Sequence, residues 1–210
     1  MKVRVAIADD HAAVRQMLAL LLEREGNYEI CGEAGTGFEA LKMVRRAKPR
    51  VLILDVLLPE LNGVEVLRAL RIENCDSRIL LFSGTMNRDL IVEALQARPH
   101  GFVHKQEPLP IFREALRAVG NGSGYFTPFA SELLNEARDG RVGWDALSGR
   151  ERTILQMIAE GRANKQIASL LCISPKTVEH HRSHLMEKLG IHDVASLTRC
   201  AVRRGLVALA

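Results

Sequence analysis

The chain has 210 residues, 47% of them hydrophobic and 26% charged, with a formal net charge of +4. That length accommodates one α/β domain and a compact helical one, and the composition excludes a disordered or fibrous chain. The longest apolar runs, Met17 to Leu22 and Val51 to Leu54, fall far short of the ~20 residues of a membrane span, so no membrane partner is expected. Asp9 and Asp10 interrupt the apolar N-terminal stretch, which argues against a signal peptide. Cys31, Cys75, Cys172 and Cys200 lack metal or CxxC spacing and read as reduced packing thiols, in keeping with a cytoplasmic location.

Residues 1–120 alternate short β-branched runs with amphipathic segments, the pattern of a parallel sheet wrapped by helices. Five strands are predicted: Val3 to Ala8, Tyr28 to Gly32, Val51 to Asp55, Arg78 to Phe82 and Gly101 to His104. Between them apolar residues recur three or four apart, as in Val14, Met17, Leu18 and Leu21 or Leu90 and Ala94. Right-handed crossovers make this a doubly wound sheet whose reactive side is the carboxyl end of the strands. Gly32, Gly35 and Gly37 do not match a nucleotide-loop spacing and read as a turn after the second strand. Residues 121–146, which follow Gly120 with Asn121 to Gly124 and later carry Asp139, Gly140 and Gly143, read as a linker with a short helix near Ser131 to Arg138.

Residues 147–210 are helical throughout. Ser148 and Glu151 form a capping-box pattern ahead of Ile154, Leu155 and Ile158. Asn164 to Leu171 is a short helix, Cys172 to Ser174 a turn, and Ser174 caps a longer helix with Pro175 at its first position. Helix, three-residue turn, helix is a DNA-binding geometry. From Asp145 onward basic residues exceed acidic ones by four, so the whole net charge falls on this module and favours a polyanionic partner.

Polar chemistry collects at the strand ends: Asp9 and Asp10, Asp55, Ser83 and Lys105. Clustered carboxylates repel unless a hard divalent cation and an ammonium offset them, which implies Mg²⁺. Carboxylate, metal, hydroxyl and amine together suit phosphoryl transfer to the protein, with Asp55 attacking, the metal and Lys105 neutralising the phosphoryl oxygens, and Ser83 donating a hydrogen bond. Each residue alone has a plainer reading: Asp9 or Asp10 as a helix cap, Ser83 or the nearby Thr85 in a turn, Lys105 as a surface lysine, Phe102 as core.

The Asp9-Asp10 pair, Asp55 to Pro59 with Gly63, Ser83 and Lys105, in that order, resemble the receiver domain of two-component response regulators over residues 1–120. That resemblance implies a flavodoxin-like strand order and Asp55 as phosphoacceptor. It further implies Asp10 as a direct metal ligand, Asp9 as a water-mediated one, the Leu57 carbonyl as a backbone ligand, and Ser83 and Phe102 as switch residues. Where many receivers have a small pair before the last strand, this chain has Arg98-Pro99-His100, which stiffens the loop leading to Phe102. His104 beside Lys105 admits a pH-sensing role or a structural one.

Leu147 to Glu151, Gly161, Asn164-Lys165, Ile167-Ala168, Leu171, Ile173-Ser174, Thr177-Val178, His181 and Lys188 to Gly190 resemble the LuxR-type helix-turn-helix. The whole chain is thus similar to the NarL/FixJ group of response regulators. The resemblance implies double-stranded DNA, a sensor histidine kinase and a homodimer, when phosphorylated or on DNA, as partners. Among the exposed residues Lys176, Glu179, His180, Ser183 and Glu187, it makes Glu179, His180 and Ser183 base readers; Lys165, Thr177, Arg182 and Lys188 are placed at phosphates. Leu197 and Ala201 on the last helix read either as a dimer contact or as cover for the core. The expectation is a regulator and not an enzyme. A hydrolase built on Asp55 lacks a second acid two residues on, where Leu57 stands, and a receiver acting only as a scaffold would not need the full acidic set.

Overall fold

The computed structural model describes residues 2–136 and 147–207. The chain divides into two compact units, Met1–Arg138 and Asp139–Ala210. Residues 137–146, which carry the end of the expected linker, lie outside the described residues, as do the last three positions of the helical domain.

In the first unit β1 (Val3–Ala8), α1 (Ala12–Glu25), β2 (Tyr28–Ala34), α2 (Gly37–Ala47), β3 (Val51–Leu54) and α3 (Gly63–Ile72) lead on to β4 (Arg78–Ser83). Then follow α4 (Arg88–Gln96), β5 (Gly101–His104), α5 (Leu109–Gly120), β6 (Tyr125–Phe126) and α6 (Pro128–Glu136). The strands form one parallel sheet in the order β2-β1-β3-β4-β5-β6. The doubly wound α/β class is therefore as expected, but the sheet has six strands and not five. The sixth comes from the segment read as linker: Tyr125 and Phe126 pair in register with Gly101 and Phe102. Thr127 then caps α6, its hydroxyl accepting from the Ala130 amide, and Ala130 and Leu133 enter the core. A two-residue strand has no detectable alternation, and a glycine-rich approach to it looks like punctuation.

Successive side chains on a strand point to opposite faces, and the sheet is buried on both. Ala6, Ala8, Leu52, Leu54, Ile79, Leu81 and Phe102 pack with α2, α3, α4 and α6. Val5, Ile7, Val51, Ile53, Leu80, Phe82 and Val103 pack with α1 and α5. On α1 the inward set is Leu18, Leu21 and Leu22, whereas Met17 is 49% exposed and leaves the predicted stripe. The glycine cluster is not a turn as a whole. Gly32 lies inside β2 against Met43, and Gly37 opens α2 where a Cβ would fall 1.8 Å from the Leu61 carbonyl oxygen.

The second unit comprises α7 (Gly149–Ala159), α8 (Asn164–Leu170), α9 (Pro175–Leu189) and α10 (Val194–Arg203). Ser148 caps α7 in a full capping box with Glu151, and Ser174 caps α9 by accepting from the Thr177 amide. Ile154, Leu155, Ile158, Ile167, Ala168, Leu171, Val178 and Leu185 form its interior. Leu197 and Ala201 are fully buried, with α10 against α7, so they cover the core and are closed to a dimer contact.

Candidate functional site: an acidic rim and an exposed helix

The parallel register assembles the rim. Ala8 is paired with Leu54, and the ladder continues as the Asp55 amide donates to the Ala8 carbonyl and the Asp9 amide to the Ala34 carbonyl. Asp9 and Asp55 therefore leave adjacent strands side by side, 2% and 3% exposed. Lys105 follows β5, and its ammonium lies 2.6 Å from Asp9 Oδ2 and 2.6 Å from Asp55 Oδ2. Burial pushes the Asp55 carboxyl above the usual range, a rise that Lys105 partly offsets. Burial opposes the charge on Lys105, but attraction from Asp55 and Asp9 outweighs it and holds the ammonium above its ordinary value.

Asp10 is exposed and pairs with His11, whose Nδ1 is 2.6 Å from Asp10 Oδ1. Asp9, Asp10, His11 and Asp55 each bring a ligand atom into a group no wider than 4.8 Å. Four donors, three of them carboxylates, suit a hard divalent cation. The loop after β3 is tied back by the Leu57 amide donating to Asp55 Oδ1 at 3.1 Å. Gly63 allows α3 to start against that loop: a Cβ there would lie 2.0 Å from the Asp55 carbonyl oxygen.

Ser83 ends β4 at the same edge, fully buried, with its hydroxyl accepting from the Thr85 amide at 3.4 Å. The competing hydroxyl of Thr85 accepts from the Asn87 amide, so it serves the turn before α4. His104 is buried, with Nε2 3.2 Å from the Thr85 carbonyl and Nδ1 accepting from the Gln106 amide. Both nitrogens are thus engaged, which favours the structural reading. Phe102 is fully buried, in register with Leu81 on one side and Phe126 on the other. Two contributors escaped sequence reasoning. His11 braces Asp9 and Asp10, and Arg15 donates to the Asp9 carbonyl at 2.7 Å. An arginine one turn into an amphipathic helix gives no signal of its own.

On α9, Lys176, Glu179, His180 and Ser183 are exposed together, and Lys165 is exposed on α8. Arg182 and Lys188 are bonded to other residues of the module. Arg182 donates to Asn164 Oδ1 at 2.6 Å, and Lys188 Nζ lies 2.7 Å from the buried Glu151. Thr177 shares a 2.8 Å hydroxyl contact with Ser174 at the cap. Among the described residues no helix is long and apolar enough to cross a membrane.

A doubly wound sheet with a lysine-bridged acidic rim, followed by a helix-turn-helix, defines a two-module regulator. Consistently, the response regulator receiver domain matches residues 5–117 and the luxR family of bacterial regulatory proteins matches residues 145–201. The chain belongs to the response regulators with a LuxR-type DNA-binding domain, the NarL/FixJ group. It is 38% identical to a transcriptional regulator of Pseudomonas aeruginosa, over 97% of this chain and 99% of that one. It is 35% identical to the DNA-binding transcriptional activator DevR/DosR of Mycobacterium tuberculosis, covering 90% and 89%. Among solved structures it resembles RcsB of Salmonella enterica bound to promoter DNA with a beryllofluoride phosphomimetic, at 25% identity and a TM-score of 0.59, covering 99% and 100%.

Proposed function

We propose that this chain is a transcription regulator whose DNA binding is set by phosphorylation of Asp55. The observation that carries the reading is the rim itself: a buried carboxylate next to a second one, both held by a single ammonium at 2.6 Å. In the proposed step an Asp55 carboxylate oxygen attacks the phosphorus of a phosphohistidine on a sensor kinase. The P–O bond forms as the P–N bond breaks, and the imidazole leaves with the electron pair. Lys105 and the Ser83 hydroxyl steady the transferred oxygens. Asp9, Asp10, Asp55 and the Leu57 carbonyl would hold Mg²⁺, which supplies charge neutralisation between the carboxylates and the incoming group. Phosphorylation then biases an existing equilibrium, with Ser83 and Phe102 as the switching residues.

The DNA-binding module, consistent with a cytoplasmic protein, would present α9 to the major groove, and a dimer would occupy paired half-sites. In this reading Lys165 and Thr177 contact phosphates, Lys176 lies on the same DNA-facing surface, and Glu179, His180 and Ser183 read base edges. Lys188 and Arg182 would have to leave Glu151 and Asn164 to serve as phosphate contacts. The relative bound to promoter DNA supports this role. The test is acetyl phosphate and Mg²⁺ with wild type and Asp55→Asn, followed by affinity for double-stranded DNA selected from a random pool. Phosphoryl uptake and a change in affinity are expected in the wild type alone, and equal behaviour of the two chains would refute the switch.

A further inference from the structure

The exposed face of α9 carries a pair of neighbouring imidazoles. His180 and His184 stand at i and i+4, both exposed. Residues so spaced sit one above the other on a helix face. Their ring centroids are 4.1 Å apart, with planes inclined by 51°. His181 is different: it is half-buried, its ring lies 6.4 Å from that of His180, and burial together with Arg150 lowers its pKa. Ser183, between the pair in sequence, turns its hydroxyl to the Glu179 carbonyl. Among the described residues no hydrogen-bond partner engages the ring nitrogens of His180 or His184.

We propose that His180 and His184 together bind one borderline divalent transition ion, of the class of Zn²⁺. Two histidines one helical turn apart are the spacing that zinc-binding helices use. With each nitrogen at about 2.0–2.1 Å from the ion, two donors can be no more than about 4 Å apart. The rings are 4.1 Å apart centre to centre and both side chains are exposed, so rotation about the side-chain bonds is free to turn one nitrogen of each toward a shared ion. Water fills the remaining positions. The acidic rim, with three carboxylates to one imidazole, would favour Mg²⁺, whereas a site of two imidazoles suits zinc. A consequence, resting on the proposed DNA reading of α9, is that the bound ion takes His180 away from base edges and weakens DNA binding.

The experiment titrates untagged, DNA-free full chain with zinc chloride in millimolar Mg²⁺, read by calorimetry and by the histidine ring resonances. One zinc per chain is expected, with the ring signals of His180 and His184 shifting. His180→Ala and His184→Ala are each expected to weaken binding by about tenfold or more, because the second imidazole no longer acts at high effective concentration. His192→Ala, at an exposed histidine between α9 and α10, is expected to change nothing. Circular dichroism checks that these surface variants keep their helices. Absence of binding, undiminished binding by the double variant, or loss of binding only in Asp10→Asn would each overturn the proposal. A parallel DNA titration separates the two readings: zinc should lower the affinity of the wild type at concentrations that leave His184→Ala, which keeps every proposed base reader, unaffected. Bound zinc with unchanged DNA affinity would count against α9 as the reading helix, not against the chelate.

Discussion

Removing the ammonium from the acidic rim is the most direct perturbation of the structure. Lys105→Met keeps the length and the apolar stem but leaves Asp9 and Asp55, 2% and 3% exposed, with no countercharge between them. Breaking a buried ion pair by deleting one partner costs about 3–5 kcal/mol. One carboxyl can escape part of that cost by taking up a proton, and Asp55, already raised by burial, is the group placed to do so. The variant's folded state then binds more protons than its unfolded state, so its stability falls as pH rises. Native-state hydrogen exchange of the Leu52 and Ile53 amides, deep in β3, reads this in the first unit alone. At pH 8 without divalent ions, a loss of about 3 kcal/mol lowers protection by about two orders of magnitude. At pH 5 the loss is smaller. Protection equal to or above that of the wild type at pH 8 would show that the bridging lysine is not what makes the paired carboxylates tolerable.

Two further expectations concern a histidine of the first unit and a glutamate of the second. His100 accepts the Ile79 amide on Nδ1 at 2.9 Å, and burial, with Arg71 and Arg78 nearby, lowers its pKa to about 4. The unfolded chain therefore binds the proton first, and the first unit should be fully stable above pH 6.5 and lose stability as pH falls toward 4. The full shift would correspond to about 3 kcal/mol. Partial solvent contact reduces this to about 1–2 kcal/mol. His100→Asn, which keeps an acceptor for Ile79, should flatten that limb of a urea-midpoint against pH curve, and an unchanged limb would exclude His100 as its source. In the helical unit, Glu151 is raised by burial but lowered further by its bonds to Lys188 and Ser148, so its net pKa is below the usual range. Its contribution is present above the ordinary carboxylate value and fades as pH falls through the lower folded one. Glu151→Gln should cost about 1–2 kcal/mol at pH 7 in thermal unfolding of this unit, and no change would mean that Lys188 finds an equal partner in water.

Several parts of this architecture were legible because they depend on local pattern or on general topology. Alternation of β-branched runs with helical periodicity is enough for a doubly wound sheet. Topology then carries Asp9, Asp10, Asp55, Ser83 and Lys105 to one rim, since parallel strands end together. Capping signals did the same for α7 and α9, where Ser148 and Ser174 stand at helix starts for reasons confined to four residues.

Other features required the packed chain. The sequence by itself determined that acids and a lysine share an edge. Non-local packing decided that one ammonium reaches both Asp9 and Asp55, and that Tyr125–Phe126 adds an edge strand to the sheet. It also decided that Arg182 and Lys188 are bonded within the helical module while His180 and His184 stand free on its surface. The division has a physical cause. Secondary structure and strand-end chemistry follow from periods of two and 3.6 residues, but the partner of a long charged side chain is chosen by whatever non-local packing brings within its reach.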